Sequence, residues 1–237
     1  MWQLYKYQPL NKTVLSNLAE RKLWASHPSA FNDLFELRLR RSGVKGLREY
    51  RQQYPKFNGQ DDDTLMAKYI RELQNKLDKM GVICFTELRD NILMWSHYAD
   101  SHKGICLGFC GKSNISKISL EGNDLYKISE GGDIFKVWYD DEYPEPDMAQ
   151  TWHILGSAKI LVTKHKGWDY EEEWRAIQED GNKLVDYLGR LNEIIFGYRT
   201  TNEDRKLVQS ILKDEEGLEY FEVVPDDNEY KLNVQPI

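Results

Sequence analysis

The chain has 237 residues, 41% of them hydrophobic and 30% charged, with a net charge of -7. That apolar share supports a buried core, and the acidic balance argues against a general affinity for nucleic acid through phosphate neutralisation. No apolar run approaches the ~20 residues that span a bilayer, and the opening MWQLYKYQPL lacks the apolar stretch of a secretory signal, so a cytoplasmic protein with no membrane association is expected.

In chain order, Trp2 to Tyr7 alternates and reads as a strand. Val14, Leu15 and Leu18 stand at helical spacing within Lys12 to Glu20, and Leu23 to Ser26 reads as a second strand. His27 to Asp33 is a turn-rich loop in which Pro28, Asn32 and Asp33 fix bends. A basic cluster follows: Arg38, Arg40, Arg41, Lys45 and Arg48. Behind a cap at Asp61 to Thr64, Leu65, Tyr69, Leu73 and Leu77 recur every fourth residue, which predicts a one-sided helix closed by Gly81. Val82 to Phe85 is a buried strand, Asp90 or Asn91 caps a short helix through Tyr98, and Gly104 to Phe109 is a further buried strand.

Gly111 to Asp133 is polar and glycine-rich, which predicts loops and a short edge hairpin. Phe135 to Tyr139 reads as a strand, Met148 to Leu161 as a helix, and Tyr170 to Gln178 as a strand before the Asp180–Gly181 turn. Lys159, Lys164, His165 and Lys166 form a second basic cluster, which reads as a solvated face or a local groove. A strand at Ile194 to Phe196, a helix at Asn202 to Lys213 and strands at Tyr220 to Val224 and Glu229 to Val234 complete the chain. This order predicts a single α+β domain over residues 1–237, with a mixed, largely antiparallel sheet flanked by helices.

Cys84, Cys106 and Cys110 sit inside apolar runs, so reduced, buried thiols are expected. Cys106 and Cys110 would lie about 13 Å apart along a strand, too far to share a metal with His97 and His102.

Three groups of residues could carry chemistry. Met94 to Phe109, MWSHYADSHKGICLGF, crowds Trp95, His97, Tyr98, His102 and Lys103 into a helix-to-strand junction, although its Trp, Ser, His and Tyr have no special helix propensity. On a continuous helix His97 and His102 would point about 140° apart, so the helix is expected to end between them. Asn32, Asp33 and Glu36 of FNDLFE stand on a loop beside the second strand, with substrate binding as their functional reading. Glu171, Glu173 and Arg175 alternate on a predicted strand and so share a face. Each group also has a structural reading: core aromatics with a satisfied histidine, a turn, and a surface charge ladder. No phosphate-cradling glycine loop and no nucleophile elbow occurs.

Four ordered boxes, FNDLFE at Phe31–Glu36, ICFTE at Ile83–Glu87, MWSHYADSHKG from Met94, and WDYEEEWRAI at Trp168–Ile177, resemble the bacterial domain-of-unknown-function family 2971, which names no activity. The Glu171-x-Glu173 pattern resembles the glutamate strand of ADP-ribosyltransferases, which take NAD as substrate. That resemblance implies a split sheet, with Lys6 and Tyr7 on an early strand and Ser26 on the next, ahead of Glu173. It implies that Glu173 stabilises the developing sugar cation, Glu171 orients the acceptor, Tyr7 or Tyr98 stacks nicotinamide, and His97 with Arg175 holds ribose or diphosphate. Trp95, His102 and Lys103 join Asn32, Asp33 and Glu36 as expected substrate-binding residues. The implied biology is a toxin or phage-defence effector with a protein or nucleic-acid acceptor and a neutralising partner protein. Two alternatives stand beside it: a nuclease using Asp33, Glu36, Glu171 and Glu173 with a divalent ion, and a non-catalytic ligand- or protein-binding module.

Overall fold

Strand β1 (Trp2–Gln8) occupies the middle of a ten-stranded sheet, and the opening of the candidate site lies along one of its edges. The computed structural model describes residues 1–39, 44–120, 123–129, 132–149 and 159–237. Arg40, Arg41 and most of the helix expected over Met148 to Leu161 lie outside them; residues 159–161 are helical.

After β1 come α1 (Lys12–Ala19), β2 (Lys22–Ala25), α2 (Leu47–Gln53), α3 (Asp62–Leu77), β3 (Gly81–Thr86), α4 (Ile92–Tyr98) and β4 (Ile105–Gly111). An edge region of β5 (Ser116–Leu120), β6 (Asn123–Ser129) and β7 (Asp133–Lys136) follows, then β8 (Trp138–Asp140) and β9 (Thr163–His165). The last elements are β10 (Glu173–Gln178), β11 (Lys183–Asp186), β12 (Arg190–Phe196), α5 (Asn202–Ile211), β13 (Glu219–Pro225) and β14 (Leu232–Pro236). The main sheet runs β14-β13-β12-β4-β1-β3-β10-β7-β6-β5 and is antiparallel except between β12 and β13. Two small sheets pair β2 with β11 and β8 with β9. The architecture is the expected α+β fold with a mixed, largely antiparallel sheet.

Alternation along β1 places Trp2 and Leu4 in one apolar cluster, and Tyr5 and Tyr7 in another on the opposite face. The first cluster is covered by Val14 and Leu18 of α1 and Val208 of α5, the second by Met94 and Trp95 of α4. A third core collects Leu65, Tyr69, Leu73 and Leu77 of α3 with Phe135 and the run Ile160 to Val162. Helix starts follow their capping residues: the side chains of Asn11, Asp61, Asn91 and Thr201 each accept a backbone N–H from the first turn. Among the described residues no helix is long and apolar enough to cross a membrane.

Three local departures from the sequence pattern have physical causes. The strand expected from Tyr170 begins only at Glu173, because residues 166–171 form a 3-10 turn and Glu172 takes a left-handed φ of 42°. Glu171 therefore reaches its neighbours from a turn rather than from a shared strand face. Phe135 to Tyr139 divides into β7 and β8, which serve different sheets; between them the Val137 N–H donates to the Glu173 carbonyl at 2.9 Å. Helix α2 carries one buried residue, Tyr50, and so has no apolar period to announce it.

The junction between α4 and β4 is made by three successive left-handed residues, Asp100 (φ 45°), Ser101 (φ 54°) and His102 (φ 70°). Gly104 then passes so close to the Gln8 carbonyl that a Cβ would collide with it, and the neighbouring atoms are backbone that cannot swing aside. Gly104→Ala is expected to cost ~1–3 kcal/mol, as overpacked sites do; urea unfolding measures it, and an unchanged midpoint would mean that the junction relaxes.

Candidate active site

On one side β1 pairs with β4 continuously, from Trp2↔Gly111 to Gln8↔Ile105, whereas on the other it meets β3 only at Tyr5↔Thr86. The two strands part there. A cleft of about 350 Å³ opens in the seam, walled by Tyr5, Lys6 and Tyr7 of β1 and by Val82, Cys84, Phe85 and Thr86 of β3. The parted strands leave backbone groups without a ladder partner, and the Lys6 Nζ reaches across to donate to the Cys84 carbonyl at 3.2 Å. Above the seam stand Ser26, Ala30, Phe31, Asn32 and Glu36 from the loop after β2, and Met94, His97 and Tyr98 from α4; Lys164, Glu171 and Glu173 close it from below.

A continuous chain of polar contacts runs under this cleft. The Asn32 amide donates to the Tyr98 hydroxyl at 3.1 Å, and that hydroxyl donates to Glu171 Oε1 at 2.6 Å. The buried Lys164 ammonium bridges Glu171 Oε2 at 2.5 Å and Glu173 Oε2 at 2.9 Å. Arg175 holds Glu173 with two nitrogens, Nε to Oε1 at 2.8 Å and Nη2 to Oε2 at 3.1 Å, while its Nη1 donates to Glu36 Oε1 at 2.7 Å and to the Leu161 carbonyl at 2.8 Å. The chain thus begins and ends on the same loop, at Asn32 and at Glu36.

The two neighbouring carboxylates experience opposite environments. Burial works against the charge of Glu173, but Arg175 and Lys164 outweigh it and hold its carboxyl far below the usual range. For Glu171 burial prevails over Lys164, with repulsion from Glu173 adding to it, and the carboxyl is pushed up. Burial also opposes the charge of Lys164, which Glu173 and Glu171 overcome, so its ammonium is held above the usual lysine value. Lys6 is pulled down by burial against weaker support from Cys84 and Glu173. Burial pushes the Cys84 thiol well up.

Of the residues singled out from the sequence, Lys6, Tyr7, Ser26, Asn32, Glu36, His97, Tyr98, Glu171 and Glu173 line this one cleft. Arg175 lies behind Glu173, fully buried and committed to two carboxylates, so it does not face a ligand in the cleft. Four residues stand elsewhere. Trp95 is fully buried, donates from its indole N–H to the Arg89 carbonyl at 3.0 Å and packs edge-on against Tyr7, so it belongs to the core. His102 stacks on Trp95 and shares a hydrogen bond of 3.1 Å with Ser96. Lys103 points outward beside Asp100. The Asp33 carboxylate caps its own turn by accepting the Phe35 N–H at 2.8 Å.

Sequence reasoning missed Lys164 as a site residue because it stands among Lys159, His165 and Lys166, and missed Cys84 as a cleft wall because its strand reads as core. For the divalent-ion reading, Asp33 is not among the cleft-lining residues and caps its own turn, and Glu36, Glu171 and Glu173 are already engaged by Arg175 or Lys164. Among the described residues no group of three or more His, Cys, Asp or Glu side chains could hold a metal ion.

Residues 94–176 match the family described as Protein of unknown function (DUF2971). The family resemblance holds over that stretch. It contains Tyr98, Lys164, Glu171, Glu173 and Arg175, whereas Lys6, Ser26, Asn32 and Glu36 come from outside it. No curated protein and no solved structure matches the chain.

Arg175→Met should destabilise the fold by ~3–5 kcal/mol, since it leaves Glu173 and Glu36 without the buried cation that compensates them; denaturant unfolding provides the check. The pH dependence of Glu173 has a definite sign. Its depressed folded value stabilises the protein above the unfolded glutamate pKa of roughly 4.3, and that contribution is lost as pH falls through the folded value. Wild type and Glu173→Gln should therefore differ most in stability near neutral pH and converge in acid, as followed by urea unfolding across pH.

Proposed function

We propose that this chain is an ADP-ribosyltransferase-like enzyme whose seam cleft accepts the nicotinamide-ribose half of NAD as substrate. One observation carries the reading: Lys6 and Tyr7 of an early strand, Ser26 after the second, and the Glu171–Glu173 pair, drawn from both halves of the chain, meet around one opening in the sheet. The order of these positions is the one that the resemblance to ADP-ribosyltransferases implies, and the partial parting of β1 from β3, which pair at one position within the continuous sheet, is in keeping with a split sheet.

The cleft also suits such a ligand in size and lining. About 350 Å³ lies at the small end of ligand pockets, roughly 300–1,000 Å³, enough for the reacting half with the adenylate half extending outward. Phe31, Phe85 and Met94 give apolar walls for a flat ring, and Tyr98, Ser26 and Glu171 give polar contacts for a sugar. NAD would supply a ribose carbon bonded to a neutral leaving group that departs with the bonding electron pair. Glu171 and Glu173 place negative charge near that carbon, where it favours the positive charge that develops as the bond stretches. Protein or nucleic acid would serve as acceptor, and an effector of the toxin or phage-defence kind would be restrained by a neutralising partner protein.

The test is transfer of label from adenylate-labelled NAD into fractionated cell protein, RNA and DNA, comparing wild type with Glu171→Gln and Glu173→Gln. Label entering one fraction with wild type, and falling ~10²- to 10³-fold in each folded variant, is the expected result, on the scale of a lost electrostatic stabiliser. NAD that binds without releasing nicotinamide would replace this reading with that of a ligand-binding module. Neither binding nor release would overturn both.

A further inference from the structure

Resting on the reading above, the geometry points to Tyr98 and Glu171 as a proton relay: Tyr98 receives the acceptor's proton as its own phenolic proton passes to Glu171, with Asn32 as the positioning residue. In the balanced step, the bond between the acceptor atom and the ribose carbon forms and the ribose–nicotinamide bond breaks with its electron pair leaving on nicotinamide. The acceptor's proton moves to the Tyr98 oxygen, the Tyr98 proton moves to Glu171 Oε1, and Glu171 ends as the neutral acid.

The division of labour between the carboxylates leads to this assignment. Both oxygens of Glu173 are taken by cations, Oε1 by Arg175 and Oε2 by Arg175 and Lys164, so Glu173 serves as fixed negative charge. Glu171 has one oxygen on Lys164 and the other on a neutral hydroxyl, a partner that carries a transferable proton. Tyr98 is half-buried on the cleft wall, and its oxygen lies between the buried Glu171 carboxylate and the exposed Asn32 amide. That oxygen donates to Glu171 and accepts from Asn32, which leaves one lone pair for an acceptor's proton. Asn32 sits exposed at the mouth and fixes the direction in which the remaining lone pair points.

The groups facing Glu171 are Lys164 from β9, Glu173 from β10, Tyr98 from α4, Tyr139 from β8 and Tyr170 in its own turn. Burial pushes its carboxyl up, the direction that favours a base working near neutral pH. A phenol alone is too weakly basic to hold the proton, and both oxygens of Glu171 are already bonded, to Tyr98 and Lys164; in series the two groups cover both requirements.

Two experiments test the relay, and the first needs no turnover. Side-chain carboxyl titration of Glu171 by carbon-13 NMR in the ligand-free protein, assigned through Glu171→Gln, should give a midpoint above that of ordinary glutamates, moving further up in Tyr98→Phe when the hydrogen bond to the ionised form is lost. An ordinary midpoint, or one indifferent to Tyr98→Phe, would overturn the relay. The second is NAD transfer kinetics. Tyr98→Phe should lower kcat by ~10²- to 10⁴-fold with little change in KM, the scale of a lost general base. Fluorotyrosine at position 98, which acidifies the phenol without changing its shape, should displace the pH–rate profile in one direction, and Asn32→Ala in the other. A Tyr98→Phe enzyme with wild-type kcat, or a profile that neither substitution moves, would also overturn it. Absence of any NAD turnover alongside an intact Glu171–Tyr98 titration would instead count against the substrate proposed above, so the two failures are distinguishable.

Discussion

The fully buried guanidinium of Arg175 is the interaction on which the rest of the site depends. A cation with no exposed surface is tolerated only where charge and hydrogen bonds surround it, and here Glu173, Glu36 and the Leu161 carbonyl do so. Each of these partners comes from a different part of the chain, so satisfying one arginine fixes three segments. The loop of residues 31–36 is held down by Glu36, the run before β9 is held by its backbone, and Glu173 is set in a geometry in which its second oxygen can share Lys164 with Glu171. The cleft floor follows from satisfying Arg175, and the Lys164 bridge then allows two carboxylates to lie side by side.

The opening above that floor comes from the sheet. A strand fully paired on both edges leaves no room for a ligand; β1 is paired along one edge and nearly free along the other. The seam exposes backbone that must find other partners, and a lysine on β1 supplies one by donating across it to Cys84. The same parting brings the two faces of β1 into one cavity: Tyr5 and Tyr7 belong to one core and Lys6 points to the other side, yet all three line it. A cleft of this kind is structural at its edges and chemical at its floor, which explains why so many of its residues carry both a packing and a functional reading.

Most of the fold was legible in the sequence because most of its elements have two-residue or four-residue apolar periods and capping residues where the periods begin. The site was legible by box but not always by residue. Unfavourable helix composition pointed to the α4 segment, but the helical period selects within it: Met94, His97 and Tyr98 stand at i, i+3 and i+4 and share the cleft face, while Trp95 is turned about 100° away into the core. His102 and Lys103 fall beyond the helix end, where three left-handed residues reverse the chain. Lys164 was hidden for a different reason. Its neighbours in sequence are charged and exposed, and its burial is created by the 3-10 turn at residues 166–171, which folds Glu171 back onto it. Such a contact depends on one left-handed residue, Glu172, that no periodic pattern announces.

The charge balance of the cleft bears on what it could bind. Across the buried ion-pair cluster, three carboxylates, Glu36, Glu171 and Glu173, face two cations, Lys164 and Arg175, so the cluster holds one excess negative charge when all are ionised. On the wall, Lys6 has no carboxylate within ion-pair distance among the described residues; its ammonium rests on a carbonyl and over the Phe85 ring. The cleft is therefore polarised, negative below and positive at the side, while neutral as a whole. A ligand that matched both poles would develop positive charge where it touches the floor and carry an anionic group toward β1. A nicotinamide-ribose cation attached to a diphosphate has that distribution of charge. The pole at Glu171 is also the one that can be neutralised by a single proton, which would remove the excess negative charge once the positive centre has reacted and so weaken the hold on the product.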